Sequence, residues 1–283
     1  MSASIPVARH LARDREGVAG RRVSLFLSPS GHDLVILAED TSRSLRLDSL
    51  EMQYYRALIS CEELDGHLEQ PPGRVRYGRT CRDLSVILSQ EDVALHSAVA
   101  ARAVRAISDQ PDSASIRIWR ASEDMQVVAL NIPISPTVEL SIPPDGWRLC
   151  TDRYVMEKVR LIRSAKLPRE TGGVLVGTVD TERKIVYVVD CLPSPKDSVE
   201  TPGSYNRGTH NLEDWMKHVR EVTGNEVDYI GEWHSHPAGC PALPSGDDRI
   251  LFKWIDGHVS AEEHPSVMLI VGEDDGWYVG QVG

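Results

Sequence analysis

Residues 227–237 read "VDYIGEWHSHP". Apolar residues lead into a carboxylate, two histidines one residue apart and a proline, so the stretch reads as the end of a β-strand. Residues i and i+2 of a strand share a face. His234 and His236 therefore present their imidazoles to one side, Ser235 faces away, and Glu232 shares the histidine face. Two convergent imidazoles suit a metal, although a loop with two solvated histidines would be spelled the same way. Neutral imidazole is the commonest zinc ligand, and a catalytic zinc takes three protein ligands and keeps one position open. The third ligand has two candidates, Asp247 and Asp248, in the first turn of a helix that "PSGDD" (244–248) opens, with Ser245 as its cap. An aspartate there also complements the helix dipole. There is no HExxH, and the 47 residues after His236 are too few for a barrel-type hydrolase.

Working outward, the second half begins with a helix, "DRYVMEKVRLIRSAK" (152–166). Two paired strands follow, "RETGGVLVGTV" (169–179) and "RKIVYVVDCLP" (183–193). "PSPKDSVETPGSYNRG" (193–208) is polar and turn-rich and is expected to be a mobile surface loop, of the kind that often carries function. "NLEDWMKHVREV" (211–222) is an amphipathic helix, "SGDDRILFKWIDGHV" (245–259) another, and "SVMLIVGEDDGWYVGQV" (266–282) closes with two strands. In the first half, "RRVSLFLSPSGHDLVILAED" (21–40) reads as a hairpin and 46–59 as a helix with Asp48 as cap. Residues 89–107 form a helix opened by Ser89, and "SIRIWRA" and "MQVVALNIPI" are strands. "SPTVELSIPPDG" (135–146), with three prolines, is the linker candidate. This division gives a leader at 1–20, an N-terminal α+β domain at 21–143 and a second domain at 144–283. Strands mixed with helices but without regular βαβ alternation imply an α+β class with a largely antiparallel or mixed sheet.

The 283 residues are 41% hydrophobic, as in a core-forming protein, and carry a formal net charge of -11. That charge argues against nucleic acid as a main partner. No apolar run approaches the eighteen or so residues of a membrane span, and the polar N-terminus lacks a signal core, so a cytoplasmic location is expected. Five cysteines, odd in number and without a CxxC pair, exclude a disulfide framework and a thiolate zinc site. No GxGxxG follows a strand and no P-loop is present, which argues against ATP chemistry.

"GEWHSHP…PSGDD", an HxHP followed after a turn by SxxD, resembles the motif of the JAMM (MPN+, JAB-domain) metalloproteases, and "ETGGVLVG" (170–177) resembles their ExxGxLxG-type strand. The resemblance covers residues 146–283 and implies a three-layer domain related to cytidine deaminases. It implies Zn2+ held by His234, His236 and Asp248. Glu170 becomes the general base that takes a proton from the attacking water and returns it to the leaving amine, and Ser245 donates to the oxyanion. One spacing departs from the family: counting from the histidines selects Asp247, whereas SxxD selects Asp248. Glu232 remains the rival base on strand geometry. The family cleaves after the C-terminal tail of ubiquitin or a ubiquitin-like protein, and the 193–208 loop is placed in sequence to close over such a tail. Bacterial members act in modification systems, some of them antiviral, beside activating and conjugating enzymes. The first half has a fainter similarity to the C-terminal part of ThiF-like ubiquitin-activating proteins, with Cys81 near a reactive position. It reads as a docking domain. Two other functions suit the same residues: a silent MPN-type binding module and a zinc hydrolase of a small amide.

Overall fold

A computed structural model describes residues 20–69, 75–77, 84–86, 88–110, 112–122, 124, 126–143, 146–250, 265, 267–273 and 276–280. The leader up to residue 19, Cys81, and the part of the expected 245–259 helix beyond 250 lie outside the described residues. The chain divides into two compact units. The first runs to Ile134 and includes Val222–Gly224; the second takes the rest from Ser135 onward.

In the first unit, β1 (Val23–Leu27) and β2 (Asp33–Ala38) form the expected hairpin, followed by α1 (Leu47–Ser60). Then come the small hairpin β3 (Val75–Tyr77) and β4 (Leu84–Val86), α2 (Gln90–Asp109), β5 (Ser115–Ala121) and β6 (Val127–Ile132). The main sheet has the order β1-β2-β5-β6, all antiparallel. Leu34, Ile36 and Ala38 of β2 pack against Ala103 and Ile107 of α2. Ser89 caps α2 as read, its Oγ accepting from the Asp92 amide at 3.0 Å. Asp48 does not cap α1. The N-cap is Arg46, and the carboxylate just after β2 takes over, Glu39 Oε1 accepting from the Leu47 amide at 3.1 Å. No local sequence pattern reports a cap supplied by another element.

The second unit contains β7 (Thr137–Ile142), β8 (Trp147–Asp152), α3 (Arg153–Lys166), β9 (Gly172–Asp180) and β10 (Ile185–Cys191). Next are β11 (Val199–Thr201), β12 (Ser204–Asn206), α4 (Leu212–Val222), β13 (Asp228–Ser235), β14 (Val267–Val271) and β15 (Trp277–Gly280). Seven of these strands form one mixed sheet in the order β15-β14-β13-β9-β10-β8-β7. β13 runs parallel to β14 and β10 parallel to β8, with the other neighbours antiparallel.

Two expectations change. The proline-bearing stretch 135–146 is not a linker, because its central residues are β7, an antiparallel partner of β8. Pro136 and Pro143 fall outside the strand, where no ladder donor is lost. The 193–208 stretch is not a free loop either: Val199–Thr201 and Ser204–Asn206 pair as a hairpin closed by Pro202 and Gly203.

The register of β13 positions the site. β10 and β14 are buried along their whole length, as strands covered on both faces are. Between them, Trp233 is fully buried in the same core, its indole Nε1 donating to the Leu192 carbonyl at 2.9 Å. A one-residue slip would turn Trp233 out and His234 in. Burying an indole is worth about 3 kcal/mol or more, so this side chain fixes which face carries the histidines.

Candidate metal centre

His234 is the penultimate residue of β13, which ends at Ser235, and His236 is the first residue beyond the strand. The strand end is fastened on both sides. The Ser235 amide donates to the Thr171 carbonyl at 2.7 Å, and the Thr171 amide donates to Ser235 Oγ at 3.1 Å. The His236 amide donates to the Val271 carbonyl of β14 at 2.7 Å. Because β9 and β13 are antiparallel, with Gly172 opposite His234, the same register continued two residues places Glu170 opposite His236. The close approach on both sides of β9 needs glycine: a Cβ on Gly172 would stand 2.4 Å from the Trp233 carbonyl oxygen of β13, and one on Gly173 2.0 Å from the Leu192 carbonyl oxygen after β10.

Asp248 arrives on the short helical stretch 246–250. Its direction is set by a reciprocal cap, in which the Asp248 amide donates to Ser245 Oγ at 3.2 Å and the Ser245 amide donates to Asp248 Oδ2 at 2.6 Å. This is the capping-box arrangement with aspartate in the third helical position. Asp248 Oδ1 lies 3.1 Å from His234 Nε2 and Oδ2 lies 3.6 Å from His236 Nε2, and the two Nε2 atoms are 3.3 Å apart. Among the described residues this is the cluster of three metal-ligating side chains with convergent donor atoms; Asp247 is exposed and outside it.

The cluster fits a cation. Tetrahedral ligation at about 2.0 Å puts neighbouring ligand atoms about 3.3 Å apart, close to the three separations found. His236 Nδ1 donates to the Pro241 carbonyl at 2.8 Å, which leaves the Nε2 lone pair pointing into the cluster. A carboxylate and two imidazoles make up the donor set of an open, hydrolytic site. Burial alone would raise the Asp248 carboxyl, but the His234 and His236 imidazoles beside it outweigh this and hold it far below the usual carboxylate range. The Asp248 carboxylate in turn raises His236.

Glu170 is half-buried beside the cluster. Burial pushes its carboxyl up, the two imidazoles pull it partly back, and Asp248 pushes it up again. Glu232 shares the strand face but is occupied elsewhere: Arg207 Nε donates to its carboxylate at 3.0 and 2.9 Å, and the Tyr229 hydroxyl donates at 3.2 Å. The side chains supporting the centre were not legible in the sequence. Arg163, in the last turn of α3, donates from Nε to the His236 carbonyl at 2.9 Å and from Nη2 to the Pro237 carbonyl at 3.3 Å. Glu273 accepts from the Gly239 amide at 2.7 Å.

Residues 152–278 match the family model described as prokaryotic homologs of the JAB domain. A CD-NTase/cGAS isopeptidase of Enterobacter hormaechei is 35% identical over 105 residues, 37% of this chain and 56% of that protein. A CD-NTase/cGAS isopeptidase of Vibrio cholerae is 32% identical over 120 residues, 39% of this chain and 67% of that protein. A probable metalloprotease of Sinorhizobium fredii is 24% identical over 118 residues, 40% and 71% respectively. The chain thus spans little more than half the length of the first of these relatives.

Proposed function

Since the chain belongs to the prokaryotic JAB family, we propose that it is a zinc-dependent isopeptidase that cleaves after the C-terminal tail of a ubiquitin-like protein, releasing it from conjugates or trimming its precursor. The observation that carries this reading is the convergence of two Nε2 atoms and one carboxylate at tetrahedral spacing beside a carboxyl raised by burial. His234, His236 and Asp248 hold the metal. Zinc, when bound, polarises the scissile carbonyl and acidifies water.

The chain's own groups supply the rest. Glu170 takes a proton from the attacking water and returns it to the leaving amine, a cycle suited to a carboxyl lifted toward neutrality. Ser245 Oγ already accepts from the Asp248 amide, so its own hydrogen is available to the developing oxyanion. The β11–β12 hairpin offers backbone groups for an extended tail to pair with as an added strand. The relatives' names extend the proposal to the target: a CD-NTase as the conjugated protein. The first unit is proposed as a docking domain for the modifier or its activating and conjugating enzymes, and the protein is placed in the cytoplasm. Among the described residues, no helix is long and apolar enough to cross a membrane.

The test measures bound zinc together with cleavage of a ubiquitin-like protein fused at its C-terminal glycine to a reporter. Wild type holds about one zinc per chain and cleaves; Glu170→Ala holds zinc and loses about 100-fold or more of the rate. A protein that binds no zinc after reconstitution is the silent binding module instead.

A further inference from the structure

Glu232 poses a question that the catalytic reading leaves open. It is 8% exposed, lies two residues before His234 on the same strand face, and does not join the metal cluster. Its carboxylate is held by Arg207, the residue after β12, and by Tyr229. Burying an ion pair is expensive in desolvation, and an apolar pair of the same volume would be at least as stable. The position of Arg207 suggests why charges stand there.

The β11–β12 hairpin is fastened at two ends. At the β11 end, the Thr201 carbonyl accepts from the Glu170 amide at 2.8 Å. Glu200 beside it accepts from Thr171 Oγ1 and Lys166 Nζ, both at 2.7 Å. At the β12 end, Arg207 reaches across to Glu232 on β13. Between the ends, the Tyr205 ring lies so close to Gly172 that a Cβ there would stand 2.4 Å from it. The hairpin therefore bridges the segment entering β9, which carries Glu170, and β13, which leads into the histidines.

We propose that Arg207 and Glu232 are positioning residues: their ion pair sets the hairpin against β13, and the hairpin in turn holds the Glu170 backbone through Thr201. Glu232 is then an anchor and not a second base. This inference rests on the isopeptidase reading for its catalytic consequence, but its structural part is measurable without turnover.

The experiment uses the full, zinc-loaded chain and follows amide hydrogen exchange at Glu170, with β10 amides as the control for global stability. Arg207→Ala and Glu232→Gln are each expected to speed Glu170 exchange at least tenfold while β10 stays protected. Zinc affinity, read by chelator competition, stays within threefold. On the reporter fusion, both variants lose kcat about 10–100-fold with little change in KM. The double variant is no worse than the worse single one, and Arg207→Lys recovers part of the loss. Unchanged Glu170 exchange in either folded variant overturns the proposal. So does a Glu232→Gln enzyme that is dead while Arg207→Ala turns over normally, which would make Glu232 the base. Failure of the isopeptidase reading shows separately, as a wild type that does not cleave or a Glu170→Ala that cleaves normally.

Discussion

Arg163→Ala tests whether the centre is held from behind. Arg163 is 13% exposed and donates to two main-chain carbonyls, those of His236 and Pro237, at 2.9 and 3.3 Å. Hydrogen bonds from a charged donor contribute about 1.5–3 kcal/mol each, and the longer one belongs at or below the bottom of that range. Truncation is therefore expected to cost about 2–4 kcal/mol of stability in the metal-free protein. The contact with Glu273 at 3.4 Å adds little, since that carboxylate is 44% exposed. The larger consequence is directional. His236 keeps its amide bond to Val271 and its Nδ1 bond to Pro241, but its carbonyl side is released, and the ring pivots about those two points. Loss of an orienting partner behind a metal ligand typically weakens binding 10–100-fold, equivalent to about 1.4–2.7 kcal/mol. Zinc competition against a chromophoric chelator measures the affinity, and thermal melting of the metal-free protein measures the fold. A drop in both supports the reasoning. An unchanged zinc affinity beside a lowered melting temperature refutes it and reduces Arg163 to a staple between α3 and the loop.

Three further outcomes follow from other groups. Gly173→Ala forces a Cβ to within 2.0 Å of the Leu192 carbonyl oxygen, so β9 must shift; a loss of about 1–3 kcal/mol in denaturant melts and weaker zinc binding are expected. Ser245→Ala removes the Oγ that accepts from the Asp248 amide; it should cost about 1 kcal/mol as a lost cap and lower kcat by about 10²–10³, while Ser245→Thr retains most of both in steady-state assays. Asp33 in the first unit supplies an acid signature. Burial would raise its carboxyl, but hydrogen bonds from Arg120 and His67 outweigh this and bring it from 3.8 to about 2. The folded value lies below the unfolded one, so its contribution of about 2 kcal/mol is complete above pH ~4 and is lost as pH falls toward 2. Asp33→Asn should flatten that part of the stability profile; an unchanged acid limb in urea melts at pH 2–5 would reject the assignment.

The parts of the fold visible in the sequence are those encoded by local pattern. The period-two and continuous apolar runs of β2, β9, β10 and β14 reported themselves, as did the Ser89 cap, because each lies within a few residues of the element it marks. The errors arose where a partner lay far away. Three prolines made 135–146 look like a linker, but β8 supplies a ladder that no composition reports. Turn residues made 193–208 look mobile, but Glu170, Thr171 and Glu232 fasten it from 25 or more residues away in the chain. Arg163 gave no signal, since a basic residue in the last turn of a helix is ordinary dipole complementation.

The two glutamates show the limit most clearly. Strand periodicity put Glu232 on the histidine face, and that is where it lies. Facing the same way is a statement about one strand, whereas acting as a base requires a carboxylate free of other partners. Glu232 has Arg207 and Tyr229 on its oxygens, contacts made through a hairpin 25 residues upstream and a neighbour three residues back across the irregular step between Tyr229 and Gly231. Glu170 is 64 residues from His234, yet the antiparallel pairing of β9 with β13 brings it opposite His236. Choosing between them takes the inter-strand register and the hairpin's anchor together, and both are properties of pairing between segments.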